Sequence, residues 1–134
     1  MTAVTTIEGI GPAFEEKLAK ADINSVEALL EKGATSQGRK TIEEASGIDH
    51  SRIARFVNHA DLMRIKGVGG EYAEILEAAG VDTVPELAQR NAANLAAKLA
   101  EVNEEKKLVR SVPTEGTLDG WIAQAKELPR VVGH

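Results

Sequence analysis

Two short glycine motifs are the places in this sequence where backbone chemistry could hold a ligand. They read Ile7-Glu8-Gly9-Ile10-Gly11 and Ile65-Lys66-Gly67-Val68-Gly69, and a helical pattern follows each. Glycine permits backbone conformations that are closed to other residues. The first amides of a helix have no partner inside it, so they hold anions well. The motifs therefore predict anion-binding turns in which the apolar residue between the two glycines enters the core.

The charged residues beside the two motifs differ. Glu8 and two further glutamates surround the first motif, two glutamates also follow the second, and a carboxylate close to a phosphate is repulsive. Arg64 and Lys66 flank the second motif, which makes it the better phosphate candidate. A purely structural role, as tight turns that let helices pack, fits the glycines equally well. The anion- or phosphate-binding candidates are Gly9, Gly11, Gly67, Gly69, Arg64 and Lys66.

Two segments of the sequence each resemble a later segment. Residues 7–30 and 65–88 are identical at 8 of 24 positions, with an offset of 58 residues. Residues 55–60 align with residues 120–125, which places Phe56 and Trp121 at equivalent positions as expected core anchors. The pattern predicts a first unit at 1–63 and a second at 64–134.

Helix signals occur throughout the chain. Ser25, Asp49 and Asn91 each precede an apolar helical pattern and are predicted N-caps. Thr83 and Glu86 have the spacing of a capping box. No segment alternates between apolar and polar residues as a half-buried strand does, so the chain is predicted to be all-α.

Each motif, with the helix after it, resembles the hairpin of the helix-hairpin-helix superfamily. The resemblance implies two tandem, pseudo-symmetric helix-hairpin-helix repeats packed into one compact domain, because one unit alone would leave its apolar face uncovered. In that superfamily the hairpin amides usually hold a nucleic-acid phosphate, often with a monovalent cation on nearby carbonyls.

Over nearly its full length, the chain also resembles a bacterial family of tandem helix-hairpin-helix proteins catalogued as "domain of unknown function 4332". The matching stretches are Ile7–Pro12, Asp61–Gly69, Gly80–Arg90, Val102–Arg110 and Trp121–Leu128. That family has no established activity, so the resemblance implies the fold and leaves the function open.

Composition limits the classes of partner. The 134 residues carry a net charge of −5, and only residues 34–66 are net basic, with six Lys/Arg against four Asp/Glu. Phosphate binding depends on lysine and arginine displacing counterions, so an acidic chain is a poor general polyanion binder. An aromatic content of 3% also disfavours a base-stacking platform.

Two groups of cations have both an ordinary and a functional interpretation. A basic face is one interpretation of the first group, and a solvated mixture with acidic neighbours such as Asp61 is favoured. The group comprises Arg39, Lys40, Arg52, Arg55, Arg64 and Lys66. The second group, Lys106, Lys107 and Arg110, follows two glutamates, which favours a salt-bridged surface helix over contacts with a tail.

No pattern of reactive residues points to catalysis. His50, His59 and His134 are separated and have no partner at metal-ligand spacing, so each is predicted at the surface or at a helix end. A Ser-His-Asp order, paired carboxylates and a phosphate loop are all missing. The chain is therefore predicted not to be an enzyme and to need no cofactor or metal. It has no cysteine, no signal-peptide pattern and no membrane-length apolar run, so it is expected in the cytoplasm.

The leading functional hypothesis is a non-catalytic interaction module, a protein-binding adaptor or scaffold that binds another protein or self-associates. Alanine-rich helices offer flat surfaces for contact between helices. The alternative is non-sequence-specific binding of the nucleic-acid (DNA) backbone through the two hairpins, assisted by Arg64 and Lys66. No membrane and no small-molecule substrate are expected as partners.

Overall fold

A computed structural model describes residues 1–133, and the predicted surface histidine at position 134 lies outside the described residues. Over residues 1–133 the chain forms a short 3₁₀-helix at Val4–Thr6 and eight α-helices, with no strand. The prediction of an all-α protein is confirmed.

By its contacts the chain divides into two compact units. The first comprises Met1–Asp61 together with residues 131–133, and the second comprises Leu62–Arg130. The internal repeat of the sequence predicts the boundary between the two units at residues 63 and 64. The sequence does not predict that the chain returns to the first unit after residue 130.

The first unit contains the first four α-helices. They are α1 (Pro12–Lys20), α2 (Val26–Gly33), α3 (Ser36–Ser46) and α4 (His50–Leu62), whose last residue counts with the second unit. Both α1 and α2 pack against α3. The buried residues include Leu18, Leu29, Ile42, Ile53 and Phe56, so each of the four helices contributes apolar side chains to the interior.

The second unit contains α5 (Gly70–Ala78), α6 (Val84–Ala88), α7 (Ala92–Lys106) and α8 (Glu115–Glu127). Helix α8 packs against α6 and α7, and α5 packs against α7. One hydrophobic cluster joins these helices, with Leu76, Leu87, Leu99, Leu118 and Trp121 among its members.

Local hydrogen bonds fix where most helices begin. The side chains of Ser25 and Asn91 accept from the amides of Ala28 and Asn94, and Asp49 accepts from the amide of Arg52. These three predicted caps are confirmed. The predicted capping box at Thr83 is wrong in detail, because the Thr83 hydroxyl contacts the Glu86 carboxylate at 3.1 Å and caps no amide.

Candidate functional site

The two hairpins have the same backbone geometry. Gly9 and Gly67 have φ values of 96° and 98°, in the left-handed region that favours glycine. The amides of Ile10 and Val68 donate to the carbonyls three residues before them, each at 3.1 Å. The first glycine of each motif is thus required by the shape of its turn.

The apolar residue between each pair of glycines enters the interior. Ile10 is 4% exposed and Val68 is 5% exposed. The four hairpin glycines at 9, 11, 67 and 69 are exposed. Each hairpin is therefore anchored by one side chain and presents its backbone to solvent, as the motif predicts.

Neither its backbone angles nor a lack of space requires the second residue of each glycine pair to be glycine. Gly11 and Gly69 have extended backbones, with φ of −95° and −96° and ψ of −171° and −169°. A methyl group added at either position would meet no atom within 4 Å. Glycine at an unstrained, uncrowded position leaves room for a ligand or another backbone to approach closely.

The helices that follow the hairpins begin without a side-chain cap. Gly11 and Gly69 offer no side-chain acceptor to α1 and α5. By contrast, α2, α3, α7 and α8 are each capped by a Ser, Thr or Asn side chain. Because Pro12 occupies the first position of α1, that helix offers one amide fewer than α5. The second hairpin thus presents more donors.

A pair of aromatic rings packs beside each hairpin, with Phe56 next to Gly9 and Trp121 next to Gly67. The rings of Phe14 and Phe56 lie 5.8 Å apart in the first unit, and those of Tyr72 and Trp121 lie 5.4 Å apart in the second. Phe56 is 2% exposed and Trp121 is 4% exposed, which confirms both as core residues. Phe14 and Tyr72 are only partly buried.

Cations gather at the first hairpin, although the sequence favoured the second hairpin as the phosphate candidate. The Lys17 ammonium and the Arg52 guanidinium each lie 5.5 Å from the centre of the Phe14 ring. Arg55 lies beside Gly9. Arg52 also donates to Asp49 at 2.6 Å, and this hydrogen bond lowers the pKa of the Asp49 carboxyl. The sequence contained a signal for this group, since residues 52 and 55 lie one turn apart on one helix.

At the second hairpin, the two flanking cations have different positions. The Arg64 guanidinium donates to the Pro129 carbonyl at 2.9 Å, so it is engaged within the protein. Lys66 is exposed. The Gln124 side chain holds the Lys66 backbone, accepting from its amide at 2.9 Å and donating to its carbonyl at 3.3 Å. Gln124 thereby fixes the hairpin on α8, a role that the sequence did not predict.

Two residues interpreted as solvated, Arg39 and Asp61, are buried, which corrects those predictions, and a histidine predicted at the surface or at a helix end is buried near a helix end. Arg39 is 7% exposed because its guanidinium donates to two backbone carbonyls. Asp61 is 0% exposed, so the favoured interpretation of a solvated charge mixture fails there. His59 lies near the end of α4, as one prediction had it, but it is fully buried rather than at the surface.

The predicted salt-bridged helix at residues 104–110 is also partly wrong. Helix α7 ends at Lys106, and Lys107 has a left-handed backbone with φ of 53° and ψ of 49°. Arg110 therefore lies beyond the helix, where it has no helical spacing to Glu104 or Glu105.

Residues 1–133 contain neither a cluster of metal ligands nor a helix suited to span a membrane. No group of three or more His, Asp or Glu side chains in this range could hold a metal ion. Within the same range, no helix combines the length and the apolar character that crossing a membrane requires.

Together, these features define an all-helical protein in which two exposed glycine hairpins each lead into an uncapped helix. The chain belongs to the family described as Domain of unknown function (DUF4332), which matches residues 8–128. The predicted family membership is thus confirmed. No curated protein and no solved structure was found to match the chain.

Proposed function

We propose that this chain is a non-catalytic interaction module that self-associates through helix α7 and acts as a scaffold. The observation that carries the proposal is the outer face of that helix. Ala93, Ala97 and Ala100 are exposed at helical spacing, while Leu95 and Leu99 on the opposite face are fully buried. The exposed stripe is made of methyl groups.

The physical argument concerns how closely two helices can approach. Small side chains let a partner helix pack at the short end of the usual range, about 8 Å between axes. A second copy of the chain offers the same stripe, and a twofold arrangement places identical faces against each other. Met1 is the only large apolar side chain that residues 1–133 expose, so the proposed contact is weak and reversible rather than obligate.

Replacing Ala97 by arginine tests the proposal. A long charged side chain in the middle of the stripe holds the helices apart, so we expect the dissociation constant of self-association to rise about tenfold or more. Sedimentation equilibrium measures the constant. Ala123→Arg is the matched control, because Ala123 is an exposed alanine on α8 of the same unit. Equal constants for the two variants would rule out α7 as the contact.

The second candidate function is nucleic-acid backbone binding, and the open space at Gly11 and Gly69 favours it. Uncapped amides beside an uncrowded glycine suit a phosphate oxygen. The cations around Phe14 add positive charge at the first hairpin, and exposed Lys66 adds it at the second. Glu8, near the first hairpin, opposes this function.

Nucleic-acid binding predicts a specific dependence on Lys66. If the hairpins hold phosphates, Lys66→Glu should weaken binding of labelled duplex DNA and reduce its salt dependence, while Lys126→Glu, on exposed α8 surface, should change both less. Fluorescence anisotropy at low and then physiological salt measures the affinities. Binding that responds equally to both changes would reflect net charge alone and would eliminate the hairpins as the site.

A further inference from the structure

A short segment that follows α8 packs on the first unit through hydrogen bonds of its main chain. Residues 131–133, called here the tail segment, follow α8 in sequence yet belong to the first unit. The Gly133 amide donates to the Ala34 carbonyl at 2.7 Å, and the Gly133 carbonyl accepts from the Arg39 guanidinium at 2.6 Å. One residue of the tail is therefore held on both of its backbone groups.

Arg39 is built into this contact. It lies on α3, is 7% exposed, and donates from its other terminal nitrogen to the Gly33 carbonyl at 2.8 Å. Gly33 is the last residue of α2, where helix carbonyls lack partners within the helix. A buried guanidinium needs acceptors on its donors, because an unsatisfied buried charge is costly. The tail carbonyl supplies one of these acceptors.

A side-chain site lies beside the main-chain contacts. Val132 is 5% exposed and borders a cavity of about 280 Å³. The other lining residues are Ser36, Arg39, His50, Ala54 and Asn58. We call the surface formed by these residues and the Ala34 carbonyl the tail groove. It combines hydrogen bonds to the backbone of Gly133 with burial of one branched apolar side chain, that of Val132, as grooves that take extended peptides do.

We propose that the tail groove is a peptide-binding site for an extended segment with a β-branched apolar residue followed by glycine, and that the tail segment occupies it as an intramolecular competitor. The tail segment shows the chemistry of the ligand: Val132 supplies one buried apolar side chain, and Gly133 supplies the paired backbone groups. The partner is thus a protein that carries such a segment.

The linkage to α8 explains how the competitor works. The Pro129 carbonyl accepts from Arg64 in the second unit. Only Arg130 and Val131 separate Pro129 from Val132, so the tail segment is tethered to the rest of the chain by a short stretch. A tethered segment has a high effective concentration, about millimolar for a short linker, and it outcompetes a free peptide of equal affinity. Release of the tail therefore controls access.

The test uses a fluorescent peptide with the sequence of residues 127–133, ELPRVVG, and the full chain with Val132→Asp. Aspartate in the apolar position weakens the internal competitor and leaves the groove residues unchanged. We expect the variant to bind the peptide at least about tenfold more tightly than the unmodified chain does, as measured by anisotropy. A peptide that carries aspartate at the position of Val132 should bind neither chain.

Adding Arg39→Met to the Val132→Asp chain should abolish peptide binding. Adding Arg130→Ala instead should leave peptide binding unchanged, because Arg130 is exposed and lies outside the tail groove. If Val132→Asp unfolds the chain, adding the peptide should restore its helical circular dichroism. Equal affinity for both peptides, no gain in the Val132→Asp chain, or no restoration of an unfolded variant would each overturn the proposal. Self-association through α7 is measured separately, so either proposal can fail alone.

Discussion

Replacing Trp121 by alanine is expected to lower the free energy of unfolding by about 3 to 5 kcal/mol. Trp121 is 4% exposed, and its ring lies 5.4 Å from the Tyr72 ring with an angle of 57° between the ring planes. It also lies directly beneath Gly67 of the second hairpin. Removing the indole therefore leaves a cavity in the core of the second unit and takes away the support of the hairpin.

Urea unfolding followed by circular dichroism measures this change, since Trp121 is the single tryptophan and its fluorescence disappears with it. Trp121→Phe is the matched control, because it keeps a ring and should recover part of the lost stability. A loss below about 1 kcal/mol for the alanine variant would contradict the core role of Trp121.

Alanine at Gly67 is expected to be the costliest of the four hairpin glycine substitutions, at about 2 to 4 kcal/mol. The φ of 98° imposes a strain of about 1 to 3 kcal/mol on any residue with a side chain. In addition, the new methyl group would approach the Trp121 indole nitrogen to 2.9 Å, which forces the ring to shift.

The other hairpin glycines provide the controls for Gly67. Gly9 has the same φ, but its nearest neighbour is a Phe56 carbon at an ordinary 3.5 Å, so Gly9→Ala should cost only the strain. Gly69→Ala meets neither strain nor crowding and should change stability by less than about 0.5 kcal/mol. Equal losses at positions 67 and 69 would refute the structural assignment of the two glycines.

The comparison of these glycine variants also distinguishes an effect on stability from an effect on ligand binding. A variant such as Gly69→Ala keeps the hairpin fold while it adds a methyl group to open space in front of an uncapped helix. Any effect of that change on a partner therefore reports on the hairpin surface itself, without a loss of stability to explain it.

Local signals predicted much of the helical structure. Ser25, Asp49 and Asn91 cap helices as expected, because a cap depends only on residues within one turn. The left-handed glycines and their buried apolar neighbours follow equally from a five-residue pattern.

Long-range contacts account for what the sequence did not predict. Arg39 was interpreted as a solvated cation, and its burial depends on a carbonyl 94 residues away in the tail segment. Gln124 holds a hairpin 58 residues before it. The cations near Phe14 gather because α4 lies beside the first hairpin. Such pairings become visible only when the chain is folded.

The central claim, that the chain is a self-associating scaffold, is tested most directly by sedimentation equilibrium of the unmodified protein over a wide concentration range. We predict that the weight-average mass rises above the 14.3 kDa of one chain as the concentration increases toward about 1 mM. We also predict that the rise is insensitive to salt, because the contact is made by methyl groups. A mass that stays at 14.3 kDa throughout would contradict the claim.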